Sequence, residues 1–452
     1  MEHDMTKGSP LKLLTLFSLP LFFGNLFQQF YSMVDTIIVG KFVGVKALAA
    51  LGCTSGFSFM VIGFAMGLTS GFGVLISQAY GAKDYKQMRQ LYSMSILLSI
   101  LMGVIISVIF TIFSKSLLLM INTPQDILND ANIYILTIYI GLILVVFYNL
   151  FAAILRAVGD SKSPLIFIII SSVLNVVLDL LFVLAFNLGC LGVGIATVLS
   201  QGLSALISYF YINKKFDKFR FQKGDFKINT HLCAKLMKLG IPGALQFSVC
   251  AIGVIIVQIA INSFGSDSIA AYSIGGKIEG MVIQFFPALG MAISTYAGQN
   301  YGSGDYERIR KGFRSGLYIV IIGALISFLI VYFFSPYIVK LFLAENASQI
   351  VVDQSLLYAR IVSFFFVPLG FIFLFRTGCQ GLGSASIPMI SSILELVFRI
   401  IAAFTLPYFF GYYGICFASP FAWVAAGFIL PFFYFHRLKK IKTQLNSRPS
   451  SI

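Results

Sequence analysis

The sequence predicts an all-α polytopic membrane protein with 12 transmembrane helices in two pseudo-symmetric six-helix bundles. Three observations support this fold class. Of the 452 residues, 58% are hydrophobic and only 11% are charged, whereas soluble domains carry about 25% charged residues. Apolar segments of about 20 residues or more, each long enough to cross a bilayer core of about 30 Å as a helix, recur along the chain. Several motifs of the first half return in the second half.

The apolar segments are interpreted as helices because they are too long and too rich in glycine for a β-barrel, whose strands alternate over about 10 residues. The first segment is longer than the core of a signal peptide, so it is kept as the first span. The predicted spans cover residues 13–40, 47–79, 91–113, 131–156, 164–186, 190–213, 233–263, 269–299, 315–338, 352–378, 387–409 and 412–435.

The basic residues are distributed unevenly between the two ends of the spans. The net charge is +15, but 24 of the 32 Lys and Arg residues fall on the side of the N-terminus, and only Lys41, Lys46, Lys115 and Lys340 fall on the opposite side. Because cytoplasmic segments carry the excess of Lys and Arg, both termini are predicted to be cytoplasmic in a multi-pass plasma-membrane protein. The positive charge is therefore a topology signal and requires no nucleic-acid partner.

The two halves of the chain share motifs. The segment SQAYGAKDYKQMR (77–89) matches GQNYGSGDYERIR (298–310) at an offset of 221, and GDSKSP (159–164) resembles GSASIP (383–388). An even number of spans per half keeps both halves in one orientation, as in some transporters, and predicts a substrate path between the bundles. The predicted organisation is an N-lobe (1–213), a basic cytoplasmic linker (214–232), a C-lobe (233–436) and a cytoplasmic tail (437–452).

One acid, Asp35, lies deep within the first span, where ionisable residues are costly. Gln28, Tyr31, Ser32 and Asp35 recur at helical spacing and form one polar stripe on an otherwise apolar helix. Because such a stripe cannot face lipid, it is predicted to face protein or a water-filled cavity.

A second acid lies in the fifth span, where Asn175 and Asp179 are four residues apart and share a helix face. Two carboxyl groups buried side by side can hold a proton reversibly. With Asn175 and with Thr197 of the sixth span, they could equally supply oxygen ligands to a small cation. The alternative is that the acids only anchor neighbouring helices through hydrogen bonds. Tyr139 and Asn149 are the polar candidates of span four.

The second half carries different charges within its spans. The position that matches Asp35 is apolar, Ile256 or Val257. Glu395 and Arg399 are spaced i, i+4, so an internal salt bridge is the simplest interpretation of that pair. The secondary candidates of this half are Gln258, Lys277, Glu279, Arg376, Glu395 and Arg399.

Three stretches are characteristic in combination: LPLFFGNLFQQFYSMVDTIIVGKFVGVKALAALG, ILRAVGDSKSPLIFIIISSVLNVVLDLLFV, and the paired motifs QAYGAKDY and QNYGSGDY. Along essentially its whole length the chain resembles the multidrug and toxic compound extrusion (MATE) family, in particular its bacterial DinF/MepA-like branch. The resemblance implies the MATE/MOP-type transporter fold, with two six-helix lobes and a V-shaped cavity. It also implies export of amphiphilic, often cationic compounds driven by H+ or Na+.

The resemblance also assigns roles to individual residues. The cavity-lining polar residues of the branch match Tyr31 and Asn149, and the bend proposed for its first helix falls at Pro20. The NorM-like branch places essential acids in spans seven and ten, where this chain has Gln258 and Arg376, so an ion site of that type is not expected. The N-lobe cation site of the branch, for a proton or Na+, matches Asp35, Asn175, Asp179 and Thr197.

These observations predict a secondary active exporter that exchanges H+ or Na+ for amphiphilic or cationic drugs. A flippase for lipid-linked or polyprenyl precursors, from the same wider superfamily, is the alternative. An enzyme is not expected, because the three histidines lie at or outside span ends and no metal or phosphate-loop motif occurs. The protein is predicted to need no cofactor, to contact membrane lipids and to act as a monomer.

Overall fold

The computed structural model describes residues 4–342 and 348–446, and in these the chain is built from α-helices. The apolar runs fold as helices because, within a bilayer, a helix satisfies its backbone hydrogen bonds internally. The helices are α1 (Pro10–Ile38), α2 (Val45–Gly81), α3 (Tyr85–Met120), α4 (Gln125–Ile140), α5 (Leu142–Ala157), α6 (Lys162–Leu180), α7 (Gly189–Lys215), α8 (Thr230–Asn262), α9 (Ser266–Val282), α10 (Phe285–Gly302), α11 (Tyr306–Phe342), α12 (Gln349–Ser363), α13 (Phe366–Gly381), α14 (Ser386–Phe410), α15 (Tyr412–Cys416) and α16 (Ala418–Asn446).

In the described ranges, ten continuous helical segments are long and apolar enough to cross a membrane, and two bent helix pairs bring the number to twelve. The pairs α4–α5 and α12–α13 each bend by 50°. Gly141 separates α4 from α5, and a Cβ there would lie 2.3 Å from Val198 Cγ1 of α7. In α13 the cause is Pro368, which lacks the N–H that would bond to the carbonyl of Phe364.

Two helices that carry the predicted acids end in a π-helical turn. The first span continues from α1 through Val39–Val43, and the fifth continues from α6 through Leu181–Ala185. Val39 and Val183, one from each turn, are buried in a common apolar cluster with Val193 of α7. Turns of this kind inside helices occur frequently at functional sites. Here they fix the ends of α1 and α6 next to each other, directly beyond Asp35 and Asp179.

By their internal packing the residues form two compact units. The first contains Asp4 and residues 23–248, and the second contains residues 5–22 and the described residues from 249 onward. Both α1 and α8 therefore contribute to both units. In the first unit, α8 crosses α2 at backbone contact distance, since a Cβ at Gly67 would lie 2.1 Å from the carbonyl oxygen of Gly243.

The repeated motif forms the same turn in each half. Asp84 accepts a hydrogen bond from Gln87 N (3.0 Å) and caps α3, and Asp305 accepts one from Arg308 N (2.9 Å) and caps α11. The preceding residues, Lys83 and Gly304, have φ of 58° and 77°. The residues shared by the two motifs therefore form the end of one helix, a residue with left-handed backbone conformation, and the N-cap of the next helix.

Each of these turns also binds the chain segment that precedes a long helix. In the first unit, Arg89 bonds to Asp225 Oδ2 (3.3 Å) and to Gln222 Oε1 (2.8 Å), ahead of α8. In the second unit, Arg308 bonds to the carbonyl oxygens of Met5 and Gly8 (3.0 Å each), ahead of α1. The two arginines occupy different positions of the repeat, because Arg89 aligns with Arg310 and Arg308 aligns with Gln87. The two halves thus hold the start of α8 and the start of α1 with different residues that follow the same turn.

Candidate cation site in the first unit

Asp35 and Asp179 form the centre of the site. Asp35 lies near the end of α1 and is 8% exposed, and Asp179 lies near the end of α6 and is fully buried. Their carboxyl groups lie next to each other. In the described ranges no Lys, Arg or His forms an ion pair with either acid. Two adjacent carboxylates in a medium of low dielectric repel each other. The pair therefore favours a bound proton or a small cation.

Polar atoms around the acids lack protein partners. Asn175 lies one turn before Asp179 on α6 and is fully buried, and Thr197 of α7 is 5% exposed. Among the residues that the structure describes, six buried side-chain atoms at this site have no hydrogen-bond partner. They are Asp35 Oδ1, both carboxyl oxygens of Asp179, both amide atoms of Asn175 and Thr197 Oγ1. Because buried polar groups are normally paired, this oxygen-rich set fits a cation or proton.

Two tyrosines enclose the acid pair. The hydroxyl of Tyr31 faces Asp35 and approaches Thr197 and Gln201. Tyr134 of α4 faces both acids. The sequence predicts Tyr139 rather than Tyr134 as the polar aromatic residue of span four, because nothing in the sequence shows which face of this helix meets the acids. Five residues along a helix turn a side chain to a different face, so only one of the two tyrosines can reach the acids.

A small polar pocket adjoins the acid pair on the N-terminal side of Asp179 along α6. Its cavity volume is about 10 Å³, room for about one water molecule, and it is open on one side. Tyr31 and Gln201 belong both to the pocket and to the surroundings of the acids, so the two sites are continuous. The pocket is lined by Gln28, Tyr31, Tyr148, Ile168, Ser171, Ser172, Ser200 and Gln201. Of these, Gln28 and Tyr31 are predicted from the sequence, whereas the serines and Gln201 resemble ordinary packing residues in a single sequence.

Three predicted residues lie away from the acids. Ser32 is exposed, and its carbonyl accepts a bond from Thr36. Asn149 is buried and donates to the carbonyl of Val145 on its own helix (2.8 Å). Tyr139 is fully buried in an apolar cluster, with its ring 5.3 Å from that of Phe110.

The predicted residue of the first helix bend, Pro20, lies within α1, which is helical on both sides of it. The ring of Pro20 removes the backbone bond to the carbonyl of Leu16. This position is two residues before the point where α1 passes from the packing of the second unit to that of the first.

The secondary candidates lie in the second unit. Glu395 pairs with Arg399 (2.8 Å) and with Arg376 of α13 (3.3 Å), and all three are buried. Glu279 accepts a bond from the Tyr358 hydroxyl (2.6 Å). Lys277 is exposed, and Gln258 is exposed and bonds to Asn262 of its own helix.

A protein-family model described as MatE matches the chain twice, over residues 20–181 and 242–405, which together make up more than half of it. The chain belongs to the MatE (MATE) family. The two matched segments of this MATE protein contain the repeated motifs, in agreement with an internal duplication. The family resemblance seen in the sequence is therefore confirmed.

Relatives and solved structures extend the comparison. This MATE protein is 30% identical to the probable multidrug resistance protein YpnP of Bacillus subtilis, over 81% of this chain and 82% of that one. It is 28% identical to the probable multidrug resistance protein YoeA of the same organism, over 79% of each chain. A structure described as the outward-facing conformation of a multidrug resistance MATE family transporter superposes with a TM-score of 0.91 at 22% identity, over 98% of this chain and 99% of that one. This likeness confirms the predicted fold class.

Proposed function

We propose that this MATE protein is a secondary active exporter of amphiphilic, often cationic compounds, and that it exchanges them for H+ or Na+ bound at Asp35 and Asp179. The observation that carries the proposal is the buried pair of adjacent acids, with unpartnered oxygens around it and no ion-pair partner in the described ranges. Intramembrane acids of this kind typically mark ion pathways. The names of the relatives, probable multidrug resistance proteins, support the choice of drugs as substrates.

The coupling step is an exchange of positive charge at the two carboxyl groups. When a proton or Na+ binds, the repulsion between them is relieved, and the end of α1 is free to pack more closely on α6 and α7. When the ion leaves, the site is anionic again and attracts a cationic compound. The Tyr31 hydroxyl, which faces Asp35 and borders the pocket, orients Asp35 and connects it to the pocket.

Pro20 supplies the place where α1 can bend. Because its ring leaves the Leu16 carbonyl without a helical partner, bending there breaks no hydrogen bond. The residues before it pack in the second unit and those after it, from 23 onward, pack in the first. A change in the charge of Asp35 would therefore change the bend angle of α1 at Pro20.

The remaining features concern location and partners. The excess of Lys and Arg on the side of the N-terminus supports a multi-pass plasma-membrane protein with both termini in the cytoplasm. All residues of the acid site come from one chain, so a monomer in contact with membrane lipids is sufficient for the proposed exchange. A flippase for pyrophosphate-linked lipids would need uncompensated cations, whereas Arg376 and Arg399 are paired with Glu395.

The test is dye export from proteoliposomes carrying Asp35→Asn or Asp179→Asn. Each substitution removes an acid but keeps its shape, so export of a fluorescent cationic dye driven by imposed ΔpH or ΔpNa should fall to the rate of protein-free vesicles. The two gradients are applied separately to identify the coupling ion. Asp126→Asn, an exposed acid that pairs with exposed Lys46, is the matched control and should export normally. Gradient-driven export that persists in both variants would show that the acids do not couple transport.

A further inference from the structure

The second unit contains a buried group of charges that the proposed mechanism does not use. Its centre is Glu395 of α14, whose two carboxyl oxygens each accept from a different arginine: Oε1 from Arg399 (2.8 Å) and Oε2 from Arg376 (3.3 Å). The three side chains are 10%, 9% and 6% exposed. A carboxylate held between two guanidinium groups needs no mobile cation.

The internal repeat places Arg399 and Glu395 at positions that correspond to the acid site and to its pocket. The motifs GDSKSP and GSASIP align α6 with α14 at an offset of 224, so that Arg399 corresponds to Asn175 and Glu395 to Ser171. Pro20 and Pro242 align α1 with α8 at an offset of 222, so that Gly253 corresponds to Tyr31. In the first half these three positions belong to the acid site and its pocket.

The guanidinium of Arg399 fills the space that a side chain on α8 would take. Its Nη1 lies only 2.6 Å from the place of a Cβ at Gly253, so any larger residue there would displace it. Where the first half has a tyrosine beside a pair of acids, the second half has a glycine beside a fixed cation.

The other ionisable groups that face the cluster complete its charge balance. Cys250 of α8 faces Glu395, and Glu279 and Tyr272 of α9 face Arg399. Tyr358 of α12 bonds to Glu279. From α15, Tyr412 and Cys416 face Tyr272, and α16 packs Phe421 against Phe398 of α14. Two guanidinium groups thus match two acids, whereas Asp35 and Asp179 of the first unit form no ion pair with a base in the described residues.

We propose that Arg399, assisted by Arg376, is a covalently tethered replacement for the coupling cation in the second unit. The arginines keep that unit from exchanging H+ or Na+, so that each transport cycle couples to the acid pair of the first unit alone. This proposal rests on the proposed function, but what is tested is only whether Glu395 takes up a proton or Na+. Without Arg399, Glu395 would be a buried acid with an incomplete charge partner and would take up a proton or Na+.

The test is infrared difference spectroscopy of the purified full-length protein, stepped from mildly alkaline to mildly acidic pH in Na+ or in choline. Wild type and Glu395→Gln should give the same change in the protonated-carboxyl band. Arg399→Leu should add a protonated-carboxyl band. This band should be absent from the double variant Arg399→Leu/Glu395→Gln. If the site of the Arg399→Leu variant accepts Na+, the band should be weaker in Na+ than in choline. Arg399→Lys keeps the charge and should add none. Arg376→Leu, which leaves Arg399 in place, is the second variant if Arg399→Leu does not fold, and it should add a weaker band.

The same substitutions are repeated on an Asp35→Asn/Asp179→Asn background. There the carboxyl signal of the first unit is removed, and the band added by Arg399→Leu should remain. If Asp35→Asn/Asp179→Asn gives the same spectrum as wild type, the proposed function fails. The comparison of the spectra with and without Arg399→Leu still decides this inference. The inference is overturned if Glu395→Gln removes a band from the wild-type spectrum. It is also overturned if neither Arg399→Leu nor Arg376→Leu adds a band, or if the added band survives Glu395→Gln.

Discussion

At the residue scale, the acid site depends on a few side chains whose chemistry can be predicted from the sequence. Their neighbours in the fold cannot be predicted from it. Asp35, Asn175, Asp179 and Thr197 stand out because polar residues inside apolar spans are costly. The structure gives these residues buried oxygens without protein partners. Tyr134 could not be chosen from the sequence, because the face of a helix that meets the acids depends on the neighbouring helices.

Replacing Thr197 with Val distinguishes an oxygen-ligand site from a simple proton site. If Na+ is the coupling ion, the loss of one ligand oxygen should raise the Na+ concentration for half-maximal export by about tenfold, equivalent to about 1.4 kcal/mol. If H+ is the coupling ion, the proton dependence should change little. Thr405→Val is the control, because that exposed hydroxyl only bonds to the carbonyl of Ile401 on its own helix. Equal effects of the two substitutions would contradict a ligand role for Thr197.

A matched pair of substitutions in span four tests the placement of the tyrosines. Tyr134→Phe removes a polar hydroxyl that faces both acids, so the ion concentration for half-maximal export should shift by up to about tenfold, equivalent to about 1.4 kcal/mol. Tyr139→Phe should leave it unchanged, because that hydroxyl is buried without a partner in an apolar cluster. Dye export measured against ion concentration gives both values. A larger shift in Tyr139→Phe would refute the assignment.

At the element scale, hydrophobicity locates the spans, but it does not show how the helices bend or cross. The third span was predicted over 91–113, whereas α3 runs over Tyr85–Met120, because a helix continues beyond its apolar part into polar surroundings. The fourth span, predicted as one segment, is two helices bent at Gly141, where α7 approaches closely. Neither Gly141 nor the glycines of α2 carry a sequence signal that separates a close crossing from an ordinary position.

The crossing of α2 and α8 makes a stability prediction. Gly67→Ala would place a Cβ 2.1 Å from the carbonyl oxygen of Gly243, so the helices must separate, and stability should fall by about 1–3 kcal/mol. Thermal unfolding in detergent, followed by circular dichroism, measures the change. Gly56→Ala on the same helix meets no atom within 4 Å and should be neutral or slightly stabilising. An unchanged melting temperature in Gly67→Ala would disprove the close crossing.

At the scale of the whole molecule, one duplicated sequence has two different sites. The repeat was visible in the motifs around Asp84 and Asp305, and the structure explains these motifs as matching N-caps. What the motifs could not show is that α1 and α8 each pack in both units, since a run of apolar residues does not specify which bundle it joins. Within the described ranges, Asp35 and Asp179 of the first half have no fixed counter-charge, whereas Arg376 and Arg399 provide one for Glu395 in the second half.

The most direct test of ion exchange at Asp35 and Asp179 is the release of the bound ion when substrate binds. Purified protein in weakly buffered detergent, equilibrated with H+ or with labelled Na+, is saturated with a cationic dye, and the released ion is counted. Wild type should release the ion in proportion to bound dye, and Asp35→Asn/Asp179→Asn should release none. Release of the same amount by the double variant would contradict the claim that these two acids hold the coupling ion.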